Sequence, residues 1–395
     1  MSRSMNKPEQ QFDLLIVGGG LAGLALACAL RDTRLKIALI EQRPPVRPSG
    51  WDARVYAISP ANVDFLRQIG IWKHLSPERM AAIYQMQIAG DSHSQLDFSA
   101  YEAGIDELGW VLESSLMACE LWESIKRQSN LTLFSPAAPA DLKISTTVAR
   151  LTLSDGKVLS SRLLVGADGR ESWVRTTSGL AAEHTDYGEM GVVANFNCQL
   201  PHRGIARQWF RADGILAWLP LAGNRLSMVW STSEAHAHKL RSLSSTALCH
   251  RVAAAGGHEL GDFELLTPAA AFPLRLMRVP RTIAPRLALI GDAAHGIHPL
   301  SGHGINLGFQ DAKALADLLL DTPDWQDIGD ERRLARYQRE RREETMLMQG
   351  VTHTLQQLFR HQIPGLKTLR NLGMNATNRL PILKNTLVRY AIGAL

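Results

Sequence analysis

The sequence predicts an α/β fold in which a parallel, nucleotide-binding unit is interrupted by a mostly antiparallel β-sheet and followed by a helical tail. Three observations predict it. The chain opens with a strand, a glycine turn, a helix and a second strand, FDLLIVGGGLAGLALACALRD and then KIALIEQR. Short apolar runs separated by turn residues fill about residues 191 to 233. After RLALIGDAAHG, at 286–296, helical patterns dominate.

The opening unit contains the pattern Gly18-x-Gly20-x-x-Gly23 between its strand and its helix. Gly18 permits a tight turn, Gly20 lets the backbone approach a pyrophosphate, and Gly23 lets the helix pack on the strand. The helix N-terminus offers unpaired N–H groups and a positive dipole end. Glu41 ends the second strand, where a carboxylate can accept hydrogen bonds from a ribose. The unit predicts a dinucleotide site and leaves NAD and FAD both open.

A second motif, Gly166-Ala167-Asp168-Gly169, ends a hairpin predicted over 148–169. Taken alone, an aspartate between small residues at a strand end is also typical of a plain turn.

The third motif is GDAAHGIHPLSGHGINLGFQDA, at 291–312. Asp292 directly follows a predicted strand, where open α/β sheets form a ligand crevice. Gly302, Gly304 and the helix after them offer backbone N–H groups suited to a partly negative ring oxygen.

Three histidines in the same stretch, His295, His298 and His303, raise the alternative of a metal site. A glycine-rich turn gives them neither the i, i+4 register of a helix nor an evident carboxylate partner. We therefore predict no metal.

Three motifs in this order and spacing resemble those of the flavoprotein aromatic hydroxylases of the p-hydroxybenzoate hydroxylase type. The resemblance implies a Rossmann-like FAD-binding domain with an inserted substrate-binding sheet. It assigns the ADP half of FAD to Gly18, Gly20, Gly23 and Glu41. It places Asp168 and Gly169 near the pyrophosphate, and Gly291 and Asp292 at the ribityl chain. NAD(P)H is the implied electron donor and O2 the co-substrate.

Further segments are similar to the ubiquinone-biosynthesis branch of that family (UbiH/VisC type). They include DARVYAIS at 52–59, LRQIGIW at 66–72 and HPLSGHGINLGFQDA at 298–312. The resemblance implies hydroxylation of the ring of a polyprenyl phenol or quinone precursor through a C4a-hydroperoxyflavin. Position 303 is His where the branch usually has Gln. This departure leaves the ring carbon and the exact substrate open.

The resemblance also implies a pocket at the reactive face of the flavin, shaped by Pro299, His303 and Gly304. Gly302, Ile305 and Asn306 are further expected flavin contacts. Arg54 is expected at the edge of the flavin or of the substrate, with an ordinary surface salt-bridge arginine as the alternative. No residue is assigned as an obligatory base. Aromatic and apolar residues of the inserted sheet are expected either to line a prenyl channel or to form plain core: Trp209, Phe210, Trp218, Leu219 and Trp230.

The expected domains are discontinuous. The FAD-binding domain takes 11–80, 105–185 and 280–345, the substrate-binding sheet takes 81–104 and 186–279, and the helical C-terminal region takes 346–395.

The chain carries a net charge of +5, and no acidic residue follows Glu344. A basic tail suits a membrane surface or an acidic partner, and with this family we expect other ubiquinone-biosynthesis proteins rather than nucleic acid as partners. Four widely spaced cysteines, no signal-peptide core and no predicted membrane span favour a cytoplasmic protein, either free or peripheral on the inner face of the membrane.

Other functions account for part of the pattern. A NAD-dependent dehydrogenase accounts for the first motif and leaves the other two unused. A hydroxylase of a small soluble phenol, a prenyl reductase and a non-catalytic flavoprotein component of a lipid-synthesis complex all share the FAD motifs. The electron donor, the oligomeric state and the partner of the tail stay open.

Overall fold

The computed structural model describes residues 9–90, 94–297 and 304–360, together with 371, 374, 375, 377 and 378. It has the predicted α/β architecture: a parallel sheet covered by helices, a large and mostly antiparallel sheet, and a helical C-terminal region.

In the described part of the chain, eight strands form the first sheet. Its path, in spatial order, is β18 (Ile283–Ala284), β19 (Leu287–Leu289), β11 (Val158–Gly166), β1 (Gln10–Val17), β2 (Ile37–Ile40) and β8 (Leu131–Phe134). The five strands from β19 to β8 run parallel. A hairpin of β9 (Pro139–Ile144) and β10 (Ala149–Leu153) pairs antiparallel with β11.

The central strands are buried because helices cover the sheet. Leu14, Leu15 and Ile16 of β1 are fully buried, as the unbroken apolar run predicts for a parallel sheet. The helices packed around this core are α1 (Leu21–Ala29), α2 (Pro60–Gln68), α4 (Ser114–Ile125) and α8 (Gly304–Leu320). Helix α9 (Glu331–Arg360) packs beside α8.

Nine strands of the described residues form the second sheet. Its path is β20 (His295–Gly296), β17 (Ala270–Arg278), β12 (Glu183–Cys198), β15 (Arg225–Ser233), β14 (Gly214–Leu221), β13 (Ile205–Arg211), β5 (Gln85–Ala89) and β6 (Gln95–Ser99), with β16 (Phe263–Leu265) beside β12. All its pairings are antiparallel except β13 with β5. Helices α6 (Glu234–Ser242) and α7 (Ser245–Ala255) pack on one face.

A small sheet joins the two layers. Its strands are β3 (Val55–Ile58), β7 (Gly109–Glu113) and β4 (Ala81–Ile83). Shorter helices complete the described elements: α3 (Ala100–Ala103), α5 (Trp173–Thr177) and the 3-10 turns Trp72–His74, Pro77–Arg79 and Gly291–Ala293.

The predicted division into domains stays a prediction, and two of its boundaries fall within paired or continuous elements. Strand β4, placed at the start of the inserted sheet, pairs with β7 in the small sheet. Helix α9 runs without interruption through the boundary at 345.

Candidate functional site

The three motifs meet at one edge of the parallel sheet. Val17 of β1 lies beside Gly166 of β11 and Ile40 of β2, and Gly166 lies beside Leu289 of β19. Because parallel strands end at the same edge, the glycine turn, the Asp168 turn and the Asp292 turn are neighbours there.

Two glycines of the first motif are required by packing. Gly18 has φ +112°, and a Cβ on it would lie 2.4 Å from the carbonyl oxygen of Ala167. A Cβ on Gly23 would lie 2.2 Å from the carbonyl oxygen of Gly18. These close contacts hold the start of α1 against the ends of β1 and β11, the strands that precede Gly18 and Ala167.

Gly20 differs because the space beside it is open. The nearest atom to a Cβ built there is the Ala167 oxygen, 3.9 Å away. Gly20 is the N-cap of helix α1, which begins without a side-chain cap hydrogen bond and without an acidic residue in its first turn. This cradle fits a pyrophosphate, which would accept hydrogen bonds from the uncapped N–H groups.

Glu41 lies against the same turn. Its carboxylate accepts hydrogen bonds from the backbone N–H groups of Gly19 and, at 2.7 Å, of Arg43. The side chain therefore supports the glycine turn, and its contact with a ribose stays a prediction.

The Asp168 carboxylate is engaged within the protein. It accepts hydrogen bonds from the Ser172 hydroxyl at 2.5 Å and from the Val174 N–H at 3.0 Å, which fixes the start of α5. Gly169 follows with φ +83° and open space around it. The acid of the second motif thus shapes its turn, and its contact with a ligand stays a prediction.

Arg175 links the second motif to the third. Its guanidinium is buried and donates to the carbonyl oxygens of Ala293, at 3.0 Å, and Arg170, at 2.8 Å. Sequence reasoning gave this arginine no role.

The third turn is wedged between two helices. Gly291 has φ +60°, and a Cβ on it would lie 3.1 Å from the Ala22 Cβ of α1 and 4.0 Å from the Gly308 Cα of α8. The next residue, Asp292, is exposed. The turn therefore presents this carboxylate at the sheet edge where the other two motifs meet.

A buried carboxylate holds the Gly291 turn. Asp311 of α8, 1% exposed, accepts hydrogen bonds from the Gly291 N–H at 2.9 Å, His295 Nε2 at 2.6 Å and Arg341 Nε at 2.8 Å. Burial alone would raise the pKa of Asp311, but the charges of His295 and Arg341 outweigh it and lower that pKa. Burial likewise opposes the charged form of His295, and Asp311 outweighs it, so the pKa of His295 is raised.

Asp311 and Arg341 were missed by the sequence reasoning. A signal for the first existed: it lies four residues from the buried Leu307 and four from the buried Leu315 on one stripe of α8. An acid on an apolar helical stripe needs a buried partner. No local signal identifies Arg341, thirty residues further along the chain.

His295 is therefore one arm of this network. The described residues contain no group of three or more metal-binding side chains. His298, Pro299, Gly302 and His303 lie outside the described residues, so the predicted pocket at the reactive face of the flavin stays a prediction.

The predicted flavin contact Asn306 is held within the protein by hydrogen bonds to two other elements. The buried Asn306 accepts from the Ser59 N–H and Asn62 Nδ2, both at 2.9 Å, and donates to the Ala57 carbonyl at 2.8 Å. Its amide ties α8 to β3 and α2. Its neighbours Gly304 and Ile305 open α8, with Ile305 packed on the main core.

Arg54 is exposed, and its charge and the charge of Asp292 both reach the side chain of Tyr56. Both act on the phenol of Tyr56: burial raises its pKa, Asp292 adds to the rise and Arg54 opposes it. The structure thus brings β3 and the Asp292 turn together.

The comparisons with known proteins agree with this arrangement. Residues 11–349 match the family model described as FAD binding domain. The chain belongs to this family of FAD-dependent hydroxylases. It is 34% identical to ubiquinone hydroxylase UbiL of Rhodospirillum rubrum over 97% of this chain and 90% of the relative.

A second relative is 3-demethoxyubiquinol 3-hydroxylase of Escherichia coli, 32% identical over 97% of this chain and 99% of the relative. Among solved structures, p-nitrophenol 4-monooxygenase PnpA of Pseudomonas putida has a TM-score of 0.79 and 16% identity. That likeness covers 96% of this chain and 97% of PnpA, and it shows the fold. The chain is a flavoprotein monooxygenase with FAD as its cofactor and O2 as co-substrate.

The large sheet of this hydroxylase has two different faces. Trp218 and Trp230, at most 1% exposed, belong to the core that packs on α6 and α7, and Trp209 packs against it. These tryptophans form core, one of the two roles expected for them, because strand alternation turns their side chains toward α6 and α7.

The opposite face looks toward the flavin-binding domain. Asn195 of β12 donates to the Asp52 carbonyl at 2.8 Å, and Leu219 of β14 packs with Trp51 and Val55. Phe210 of β13 alternates with Trp209 and points to this same face. A substrate held between sheet and flavin must contact this face.

Proposed function

We propose that the protein hydroxylates the aromatic ring of a polyprenyl phenol or quinone precursor in ubiquinone biosynthesis. The observation that supports this most is similarity over nearly the whole chain to two hydroxylases named for ubiquinone-type rings. The chain spans 90% and 99% of their lengths, so the same elements are available for the reaction.

Bound FAD supplies the oxygen-transfer chemistry, with NAD(P)H proposed as the donor that reduces it. The polypeptide binds and orients. Uncapped N–H groups at Gly20 are proposed to hold the pyrophosphate, Glu41 the ribose and Asp292 the ribityl chain. The Asp311 network fixes the turn that carries Asp292.

The substrate ring is proposed to lie between the Asp292 turn and the sheet face that bears Asn195 and Leu219. This face carries apolar side chains, amides, hydroxyls and Arg225, and strand β3 covers part of it. An apolar enclosure keeps water from the reacting atoms, which prevents loss of the activated oxygen as hydrogen peroxide. Pro299, His303 and Gly304 are proposed to complete this enclosure.

Peripheral binding to a membrane is proposed as the route by which so apolar a substrate reaches the site. No helix among the described residues is long and apolar enough to cross a bilayer. Helix α9 exposes Met346, Leu347 and Val351 beside Arg342 and Glu343, and the chain beyond Glu344 carries no acidic residue. Such a surface suits an anionic lipid headgroup layer, and other ubiquinone-biosynthesis proteins are the proposed neighbours there.

Gene deletion tests the proposed substrate class. Deletion in the host, followed by mass spectrometry of the lipids, should reveal a polyprenyl ring compound that lacks one oxygen. Its fragmentation identifies the ring carbon. The absence of any under-hydroxylated prenyl-ring compound would refute the proposed substrate class.

Complementation tests the proposed site. Wild-type protein should restore ubiquinone, Asp292→Ala should restore it poorly, and the exposed Asp317→Ala on α8 serves as the matched control. Full restoration by Asp292→Ala would refute the proposed role of the third motif. Turnover of small water-soluble phenols by the purified protein, with none of a prenylated ring, would favour the soluble-phenol alternative.

A further inference from the structure

The loop formed by residues 50–54 leads into strand β3 and belongs to no helix or strand. A segment without ladder hydrogen bonds is held in place by side chains and backbone groups of its neighbours. The loop ends at Arg54, the arginine expected at the edge of the flavin or of the substrate. The contacts that fix these five residues therefore determine where the base of this side chain lies.

A buried carboxylate holds the middle of the 50–54 loop. Glu113, the last residue of β7, is 1% exposed. Its Oε1 accepts a hydrogen bond from Arg79 Nε and its Oε2 accepts one from Arg79 Nη2, both at 2.7 Å. The same Oε2 accepts from the backbone N–H of Asp52, also at 2.7 Å. One carboxylate thus joins the small sheet to the loop and to the 3-10 turn that carries Arg79.

Arg79 contacts the 50–54 loop at two further places. Its Nη2 donates to the Gly50 carbonyl oxygen at 2.9 Å, and its guanidinium carbon lies 4.1 Å from the centre of the Trp51 ring. A planar guanidinium can make these contacts while it faces a carboxylate with two nitrogens, because its five donors have a fixed fork geometry. A lysine at this position would keep the charge and lose the combination.

The Asp52 carboxylate fixes the end of the loop. Its Oδ1 accepts from the backbone N–H of Arg54 at 2.9 Å, and its Oδ2 accepts from that of Ser115 at 3.0 Å. The Ser114 N–H donates to the Arg54 carbonyl oxygen at 3.0 Å. Asn195 of the large sheet donates to the Asp52 carbonyl oxygen at 2.8 Å. Both polar backbone groups of Arg54 are therefore engaged.

The side chain of Arg54 differs from its backbone. It is exposed, and within the described part of the chain its guanidinium has no ion pair and donates no hydrogen bond. Its charge and that of Asp292 both reach Tyr56, which places this cation near the turn of the third motif. An unpaired guanidinium on a fixed backbone is preorganised for a negatively charged group, and the two phosphates of FAD carry such charge.

We propose that Glu113 and Arg79 are positioning residues for FAD binding. They fix the 50–54 loop so that the guanidinium of Arg54 stays available to the bound cofactor. If the pair only stabilised the fold, its loss would weaken FAD binding whether or not Arg54 is present. The proposal concerns the cofactor and is independent of the substrate proposed above.

Arg79→Lys tests the proposal because Glu113 keeps a positively charged partner, so the buried carboxylate is not left without one. The dissociation constant for FAD is measured by flavin fluorescence on the full-length protein freed of FAD. It should rise roughly 10- to 100-fold in Arg54→Ala, which removes a charged hydrogen bond. It should rise about fivefold in Arg79→Lys, and the double variant should bind FAD no more weakly than Arg54→Ala alone.

Arg67→Lys is the matched control, because Arg67 of α2 also pairs with a carboxylate and lies over a tryptophan. Its Nη1 is 2.9 Å from Asp64 Oδ1, and its guanidinium carbon is 5.5 Å from the centre of the Trp72 ring. The substitution removes the same kinds of contact outside the 50–54 loop, so FAD affinity should stay at the wild-type value.

Glu113→Gln perturbs the same pair from its other member. The amide keeps the shape of the side chain and one acceptor oxygen, and it loses the charge that faces Arg79. FAD affinity should again fall in the wild-type background and stay unchanged in the Arg54→Ala background. Glu123→Gln on α4 breaks an exposed pair with Lys126 and should leave FAD affinity unchanged.

Salt provides a second readout. Added salt screens the charge of the exposed Arg54, so FAD affinity should fall more steeply with salt in the wild type than in Arg54→Ala. Arg79→Lys should show the shallower dependence, whereas a variant with only a loosened fold would lose affinity by one factor at every salt concentration. Wild-type affinity in both Arg79→Lys and Glu113→Gln would overturn the proposal. A loss that persists undiminished in the Arg54→Ala background would overturn it as well.

Discussion

Replacement of Asp311 by Asn tests whether the buried network holds the Asp292 turn. The change keeps the shape of the side chain and removes its charge, so His295 loses its carboxylate partner. Arg341 keeps Glu344, whose side chain is 34% exposed. Removal of one partner of a buried ion pair costs about 3–5 kcal/mol. Because an amide oxygen can still accept from the Gly291 N–H, we expect about 3 kcal/mol, the low end of that range.

That loss has a measurable size in thermal unfolding. An unfolding entropy of about 2 cal/mol/K for each of the 395 residues converts 3 kcal/mol into a fall of about 4 °C in the midpoint. The FAD-loaded protein is the sample, and the dissociation constant for FAD, measured by flavin fluorescence, should rise as the turn loosens. Asp317→Asn on the same helix breaks an exposed pair with Lys313 and should cost less than about 0.5 kcal/mol. If both variants unfold with the wild-type midpoint and bind FAD equally well, the network does not hold the turn.

The same network predicts a dependence of stability on pH. The pKa of His295 is raised in the folded protein, so its contribution is present below the unfolded pKa and lost as pH rises through the folded pKa. The pKa of Asp311 is lowered, so its contribution is present above the unfolded pKa and lost on acidification through the folded pKa. The midpoint of thermal unfolding of the wild type should therefore fall at high pH, where His295 loses its proton, and at low pH, where Asp311 gains one. In His295→Gln the fall of the midpoint at high pH should be smaller.

Three further predictions concern glycines and cysteines. Gly20→Ala should leave the free energy of unfolding unchanged, since its Cβ meets open space, and should weaken FAD binding measured by fluorescence. Gly23→Ala should instead lower the free energy of unfolding, measured by denaturant titration, by about 1–3 kcal/mol. Gly291→Ala forces a left-handed conformation that costs about 1–2 kcal/mol, so FAD affinity should fall roughly 5- to 30-fold, and wild-type affinity would contradict the role of the turn. Burial raises the pKa of Cys28 to about 11 and that of Cys198 to about 12, so both should resist alkylation at pH 8 until the protein is unfolded, as mass spectrometry of labelled peptides can show.

The predictable part of the fold is local. The apolar run before Gly18 could form only a buried strand, and the glycine spacing allowed only a tight turn followed by a closely packed helix. Gly18 and Gly23 lie where a Cβ would meet backbone atoms. Such steric requirements leave a direct trace in the sequence, and the α/β architecture followed from them.

Contacts between residues far apart in the chain were harder to predict from the sequence. The sequence could not show whether Trp218 and Trp230 line a channel or form core, because alternation does not reveal which face of a sheet another element covers. The covering helices, α6 and α7, follow these strands and pack back onto the tryptophans. Side-chain partners were equally hidden: the sequence could identify Asp168 as a polar residue at a turn and Asn306 as one near the start of a helix, and it could not show that both are satisfied within the protein.

One face of helix α9 contacts both the network beneath the Gly291 turn and the large sheet. Arg341 reaches Asp311 beneath the Gly291 turn, and two helical turns later Gln349 donates to the carbonyl oxygens of Met277, at 2.9 Å, and Gly296, at 3.3 Å. Strand β20 already joins the turn to the large sheet within five residues, so Gln349 braces that short connection from outside. One helix therefore contacts both ends of the connection between the turn that carries Asp292 and the large sheet. The helix thus supports both the Asp292 turn and the large sheet, although its residues 331–345 were predicted in the FAD-binding domain and the rest in a separate C-terminal region.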